Sequence, residues 1–192
     1  INNLIKKSTL IIKDDGALRF AKRAAKYAYY KKFPDRKNKE YKDILFINGC
    51  TLPHPERYRV AHQIEQLISQ GLTADSVFYD RLSLDQLKYY RGFVFFRCPI
   101  TDTVRNFIKQ SNYFNKTCFF DIDDLVIDQK YTDSIEYVQK MSDEDKRLYN
   151  DGVNRMRETL TLCSHAITTT TQLQEELQKY IKGQVLINRN EI

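Results

Sequence analysis

What this chain of 192 residues lacks narrows it quickly. No apolar run approaches the ~20 residues that span a bilayer, so a membrane-spanning helix is not expected. Only four cysteines are present (Cys50, Cys98, Cys118 and Cys163), and no two form a CxxC pair. That spacing argues against a structural zinc site. The three histidines, His54, His62 and His165, form no ligand motif, so no metal site is expected. Each cysteine falls near the end of an expected strand or helix, which reads as reduced, mostly buried thiols of a cytoplasmic protein. Neither an internal repeat nor a low-complexity tract appears. The first strand is not followed by GxGxxG, and GxxxxGK[ST] is absent, which speaks against nicotinamide or flavin enzymes and P-loop hydrolysis. No signal-peptide pattern and no initiator Met open the chain, so a piece of a longer protein is expected.

What is present is unevenly charged. Residues 1–42 hold 13 Lys/Arg against 4 Asp/Glu, and the remaining 150 hold 18 against 21. The net charge of +6 therefore belongs to the N-terminal arm. Residues 17–32 (ALRFAKRAAKYAYYKK) read as a basic helix with Leu18, Ala21, Ala25 and Ala28 on one stripe. Docking on an anionic membrane surface or polyanion is one use for it. Packing on the main domain or on a neighbour is the other. No nucleic-acid motif accompanies the arm and the rest of the chain is net acidic, so no nucleic-acid partner is expected. Residues 34–42 read as a polar linker. The arm and linker occupy 1–40, a main domain 41–188, and the start of a further linker 189–192.

From Asp43 onward, strands and helices alternate. Strands are expected at 44–47, 76–79, 93–96, 117–120, 165–168 and 185–187. Helices are expected at 55–70, 83–90, 101–111, 142–162 and from 171 through 180. The first helix should bury Val60, Ala61, Ile64, Leu67 and Ile68. Thr101 should cap the third, and Ser142 with Asp145 the fourth. Thr171 with Gln174 should cap the last. Short, uniformly apolar strands alternating with helices mean a mainly parallel sheet of about six strands, covered on both faces. This is a Rossmann-like three-layer α/β domain.

In such a sheet, chemistry gathers at the carboxyl ends of the strands. After the fourth strand stand Asp121, Asp123 and Asp124, three carboxylates within four residues. Gly49 follows the first strand and can admit close approach to the backbone. Arg57 should point back over the rim, where helix amides and a guanidinium can grip an anion together. The alternative is that Arg57 pairs with Asp121, Asp123 or Asp124. Tyr58, Arg59 and Arg97 lie along the same edge. Thr169 and Thr170 should be freer than Thr171 to donate to a ligand.

The motifs IxFINGCxxPxxxRYRVxxxIEQL at 44–67, FFDIDDLVID at 119–128, LTLCSHAITTTTQLQEEL at 160–177 and VLINRN at 185–190 stand in a telling order. Together they resemble the N-terminal half of family 4 (group 1) glycosyltransferases of the GT-B fold, closest to the bacterial branch of surface-polysaccharide assembly. The resemblance implies a retaining sugar transferase that needs no metal or other cofactor. Its nucleotide-sugar donor would be held mainly by a second domain, and a glycan or lipid-linked acceptor by this one. Gly49 would then lie near the donor phosphates. Asp123 or Asp124 would stand where many members place a His near the reacting sugar carbon, and would be the catalytic residues. Acceptor or phosphate contacts would come from Arg57, Tyr58, Arg59, Arg97, Asp121, Thr169 and Thr170. The expected location is cytoplasmic, with peripheral membrane contact through residues 1–40 as an option. Two rival readings are a haloacid dehalogenase-like, Mg²⁺-dependent phosphatase using Asp121 and Asp123, and a non-catalytic binding module of a glycan-assembly protein.

Overall fold

The computed structural model describes residues 40–190, so the expected basic helix at 17–32 lies outside the described residues. Six strands form one sheet: β1 (Lys42–Asn48), β2 (Ala74–Phe78), β3 (Tyr90–Phe96), β4 (Thr117–Asp121), β5 (His165–Thr168) and β6 (Val185–Ile187). Their order is β2-β1-β3-β4-β5-β6, and every neighbouring pair is parallel. The register sets Phe46 beside Val94, Val94 beside Phe119 and Phe119 beside His165. The expected Rossmann-like three-layer arrangement is therefore what these residues form.

Alternation along the strands divides the core in two. Leu45, Ile47, Phe93, Phe95, Cys118, Phe120, Ala166 and Val185 face the larger cluster. Three helices contribute to that cluster: α3 (Asp102–Tyr113), α6 (Asp143–Leu162) and α7 (Thr171–Gln178). Phe46, Val94 and Phe96 face the smaller one, with Phe119 and Ile167 at its margin. Among the described residues it is covered by a single helical stretch: α1 (Pro53–Glu56), a π-helical turn (Arg57–Ala61) and α2 (His62–Ser69). Two four-residue helices, α4 (Gln129–Thr132) and α5 (Glu136–Gln139), interrupt the long loop after β4.

The helices start where side chains satisfy the first free amides. Thr101 accepts from the Val104 amide at 3.1 Å, as expected, and Asp102 in the first turn complements the positive end of the helix. Spacings of three and four bury Val104, Phe107 and Ile108. Ser142 accepts from the Asp145 amide, and its hydroxyl donates to the Asp145 carboxylate at 2.6 Å in place of a reciprocal box. The last helix departs from expectation. Thr170, not Thr171, caps it by accepting from the Leu173 amide, and Gln174 donates instead to the Val185 carbonyl. The 55–70 stretch also differs. Ile68 is exposed and Ala61 only half-buried, while Arg59, Val60 and Gln63 are buried. The buried stripe is rotated toward a polar pair because Asp121 beneath it demands partners.

Candidate functional site

With all strands parallel, their carboxyl ends share one edge. The order reverses between β1 and β3, and such a switch point is where ligand crevices open in sheets of this type. The loops that follow β1, β3 and β4 meet there.

Gly49 donates its amide to the Phe96 carbonyl at 2.8 Å. A Cβ on Gly49 would lie 2.4 Å from the Arg97 carbonyl oxygen and 2.5 Å from the Cys98 Cα. The close approach that glycine permits here is between two loops of the chain, not to a ligand as the sequence suggested. Above it, Arg97 takes a φ of 41°, a left-handed conformation uncommon for a residue with a Cβ. Such strain gathers where the surroundings over-determine a residue, functional rims among them. The Arg97 amide donates to the Asp121 carbonyl at 2.9 Å. Its guanidinium grips Asp123, with Nε and Nη2 each 2.7 Å from Oδ1, and Nη2 lies 3.8 Å from Asp124 Oδ2.

The three aspartates thus have three environments. Asp121 is sealed, with a side-chain exposure of 0 %. It accepts three bonds of 2.8–2.9 Å from Arg59 and one of 2.8 Å from Gln63. Burial pushes its carboxyl up to about 6, against Arg59 and Gln63, which pull it down, and with a smaller upward push from Asp123. Asp123 is 13 % exposed and held by Arg97. Asp124 is 60 % exposed, and its Oδ1 accepts from the Leu125 amide at 2.8 Å. Its other oxygen is turned toward the rim beside Arg97.

Arg57 does not join this edge. It pairs with Glu65 at 2.9 Å on the solvent side of the helical stretch. Residues two apart on a helix face nearly opposite ways, so once Arg59 is drawn inward to Asp121, Arg57 is turned out. Neither the rim position expected for Arg57 nor its alternative pairing with an aspartate is found. Tyr58 is half-buried, with its ring edge-on to His62 at 5.2 Å. At the end of β5, Thr168 is buried and donates to the Ile122 carbonyl, Thr170 is taken up as a cap, and Thr169 is half-buried.

One rim residue was not singled out from sequence. Tyr149 of α6 lies in electrostatic range of both Asp124 and Arg97. Burial raises its phenol, Asp124 raises it further and Arg97 opposes. In sequence, Tyr149, Val153, Met156, Leu160 and Cys163 recur at spacings of four, three, four and three, which reads as a packing stripe that Tyr149 begins. Its hydroxyl, alone among that stripe's apolar members, was the available signal.

The four cysteines are free and buried, as expected. Burial pushes the Cys118 thiol up to about 12 and holds those of Cys98 and Cys163 well above the usual thiol range, so none of these three offers a thiolate nucleophile near neutrality. Among the described residues, no group of three or more His, Cys, Asp or Glu is placed to hold a metal ion. None of the described helices is long and apolar enough to cross a membrane. No family model, no curated protein and no solved structure matches the chain.

Proposed function

We propose that residues 41–188 are the acceptor-side domain of a retaining glycosyltransferase of the GT-B type. In this reading a sugar passes from a nucleotide-sugar donor to a glycan or lipid-linked acceptor of cell-surface polysaccharide synthesis. The observation that carries it is the division of labour among the aspartates. At the crevice of the sheet, Asp124 alone of the three is open to a substrate, and it stands beside a cation, Arg97.

Sugar transfer passes through an oxocarbenium-like state, positive at the sugar carbon. A carboxylate at the rim stabilises that charge or orients the incoming hydroxyl, and Asp124 is the residue free to do so. The departing diphosphate, or a phosphate on the acceptor, is anionic, and Arg97 supplies the matching cation. Asp123 then serves by holding Arg97. Arg59 and Asp121 act from beneath as the frame of the rim, which replaces the ligand contacts first expected of them. The donor, the second domain that would hold it and the bacterial setting follow from the sequence resemblance alone. A phosphatase using Asp121 as nucleophile fits poorly, since that carboxylate is closed to substrate by Arg59 and Gln63.

The test uses the product of the complete reading frame and a panel of radiolabelled nucleotide sugars. Asp124→Asn should lower kcat by roughly 100-fold, the scale of losing a charged transition-state contact. Its thermal midpoint should be unchanged. Asp123→Asn should act mainly on KM, because Arg97 loses its anchor. Parental transfer rates in both variants would remove the assignment.

A further inference from the structure

Arg59 is among the largest fully buried side chains of the domain, and its guanidinium has an acceptor for each of its five N–H groups. Three go to Asp121. The other two, on Nη1, go to the Asn188 carbonyl at 2.6 Å and to Asn190 Oδ1 at 3.1 Å. Asn188 is held from its other side too, since its amide donates to the Thr168 carbonyl at 2.7 Å. The segment that leaves β6 is therefore bonded at the carboxyl edge of the sheet, to a residue 129 positions before Asn188 in the chain. Nothing in the β6 ladder requires this. Asn190 lies beyond the strand and is exposed, yet its side chain turns back to a buried cation.

The same pair reaches the rim. The Asp121 carbonyl accepts the Arg97 amide, and the Arg97 guanidinium holds Asp123. A line of direct bonds thus runs from Asn190 through Arg59, Asp121 and Arg97 to Asp123. A buried cation of this kind has few alternative partners. Removing one acceptor leaves donors unsatisfied in a place water reaches poorly, so the group moves as a unit or not at all.

We propose that the Arg59–Asp121 pair is a latch: it fixes the direction in which the chain leaves β6 and transmits the state of residues 188–190 to the loop of Asp123 and Asp124. This holds whatever reaction the rim performs. It makes Arg59 and Asp121 positioning residues and not ligand contacts.

The experiment is amide exchange and chemical-shift mapping by NMR on the full 192-residue chain, with two variants. Asn190→Ala removes one acceptor at an exposed residue and leaves the core untouched. It should speed exchange of the Asn188 amide roughly fivefold, the effect of one lost hydrogen bond. It should also move the Arg59 Nε–H resonance and shift the Arg97 and Leu125 amides on the rim. Asp121→Asn should speed exchange at Asn188 by at least about tenfold, as expected when a buried pair loses its anion. The Ile47 and Phe95 amides should keep their parental exchange rates in both variants. The latch is overturned if Asn190→Ala leaves Asn188 exchange and the Arg59 Nε–H signal where they were. It is equally overturned if the shifts stop at residues 188–190, or if Asp121→Asn speeds every core amide alike, which would mark simple destabilisation.

Discussion

Asp121 carries its carboxyl where water does not reach, and burial raises its pKa from the ordinary 3.8 to about 6 although Arg59 and Gln63 both favour the charged form. The consequence for stability follows from proton linkage. Between pH 4 and 6 the unfolded chain has lost this proton while the folded chain still holds it. The group's contribution to stability is therefore complete below about pH 4 and disappears as pH rises through 6. Its size is on the order of 3 kcal/mol at most. The ¹³C shift of the Asp121 carboxyl should titrate near pH 6. Urea unfolding should show a component that weakens from pH 4 to 6 and is absent from Asp121→Asn. A carboxyl shift that titrates below pH 4 would mean that the guanidinium outweighs burial. Asp124, three residues further along yet open to solvent, shares neither constraint, which is why identical side chains in one motif separate into frame and candidate site.

At the level of elements, the loops after β1 and β3 hold each other in place through Gly49. A methyl group there would lie 2.4 Å from the Arg97 carbonyl and 2.8 Å from its carbonyl carbon, and both obstacles are backbone that cannot rotate aside. Gly49→Ala should cost roughly 1–3 kcal/mol in denaturant unfolding, the range for forced overpacking. It should also disturb the Arg97 grip on Asp123, seen as a shift of the Arg97 Nε–H signal. A variant as stable as the parent, with that signal unmoved, would show that the two loops are not in register through this glycine. The sequence was informative about elements in a graded way. β5 and β6 were legible residue for residue, because short apolar runs between turn and cap signals have few alternatives. Thr101 and Ser142 were legible as caps for the same local reason. The four consecutive threonines at 168–171 were not, since each is a competent cap and only the depth of Thr168 in the sheet decides which one serves. Nor was the partner of Arg59. Local periodicity favours Ala61 and Ile68 as inward residues, and only a carboxylate 62 positions away overrides it. The motif that marks the candidate site was plain in sequence, but the distribution of roles within it was not, because burial and pairing are properties of the assembled edge.

At the scale of the whole fold, among the described residues, the two sheet faces are unequal. Three helices pack on the face of Phe95 and Phe120, whereas one helical stretch covers the face of Phe46 and Val94. Toward β5 and β6 this second face opens into an apolar groove of about 360 Å³ lined by Phe119, Ile167, Leu186 and Ile187 beside Leu67 and Gln63. Phe119 and Phe120 are neighbours in one strand and identical in chemistry, so they report the difference between the faces directly. Phe120 is fully buried in the larger cluster and packs among α-helical side chains as well as neighbouring strands. Phe119 is half-buried at the margin of the smaller one, tilted against the His165 ring at 5.3 Å. Truncation to alanine removes the same atoms from both, and the cost depends on how much was buried and how far the site can relax. Phe120→Ala should therefore lose about 3–5 kcal/mol of unfolding free energy, the range for a fully enclosed phenylalanine. Phe119→Ala should lose about half of that or less, since fewer of its atoms leave water on folding. Guanidinium unfolding of the two variants under one condition measures the contrast. Equal losses would mean that the second face is as closed as the first, and the asymmetry that leaves this groove beside the rim would then have no energetic counterpart.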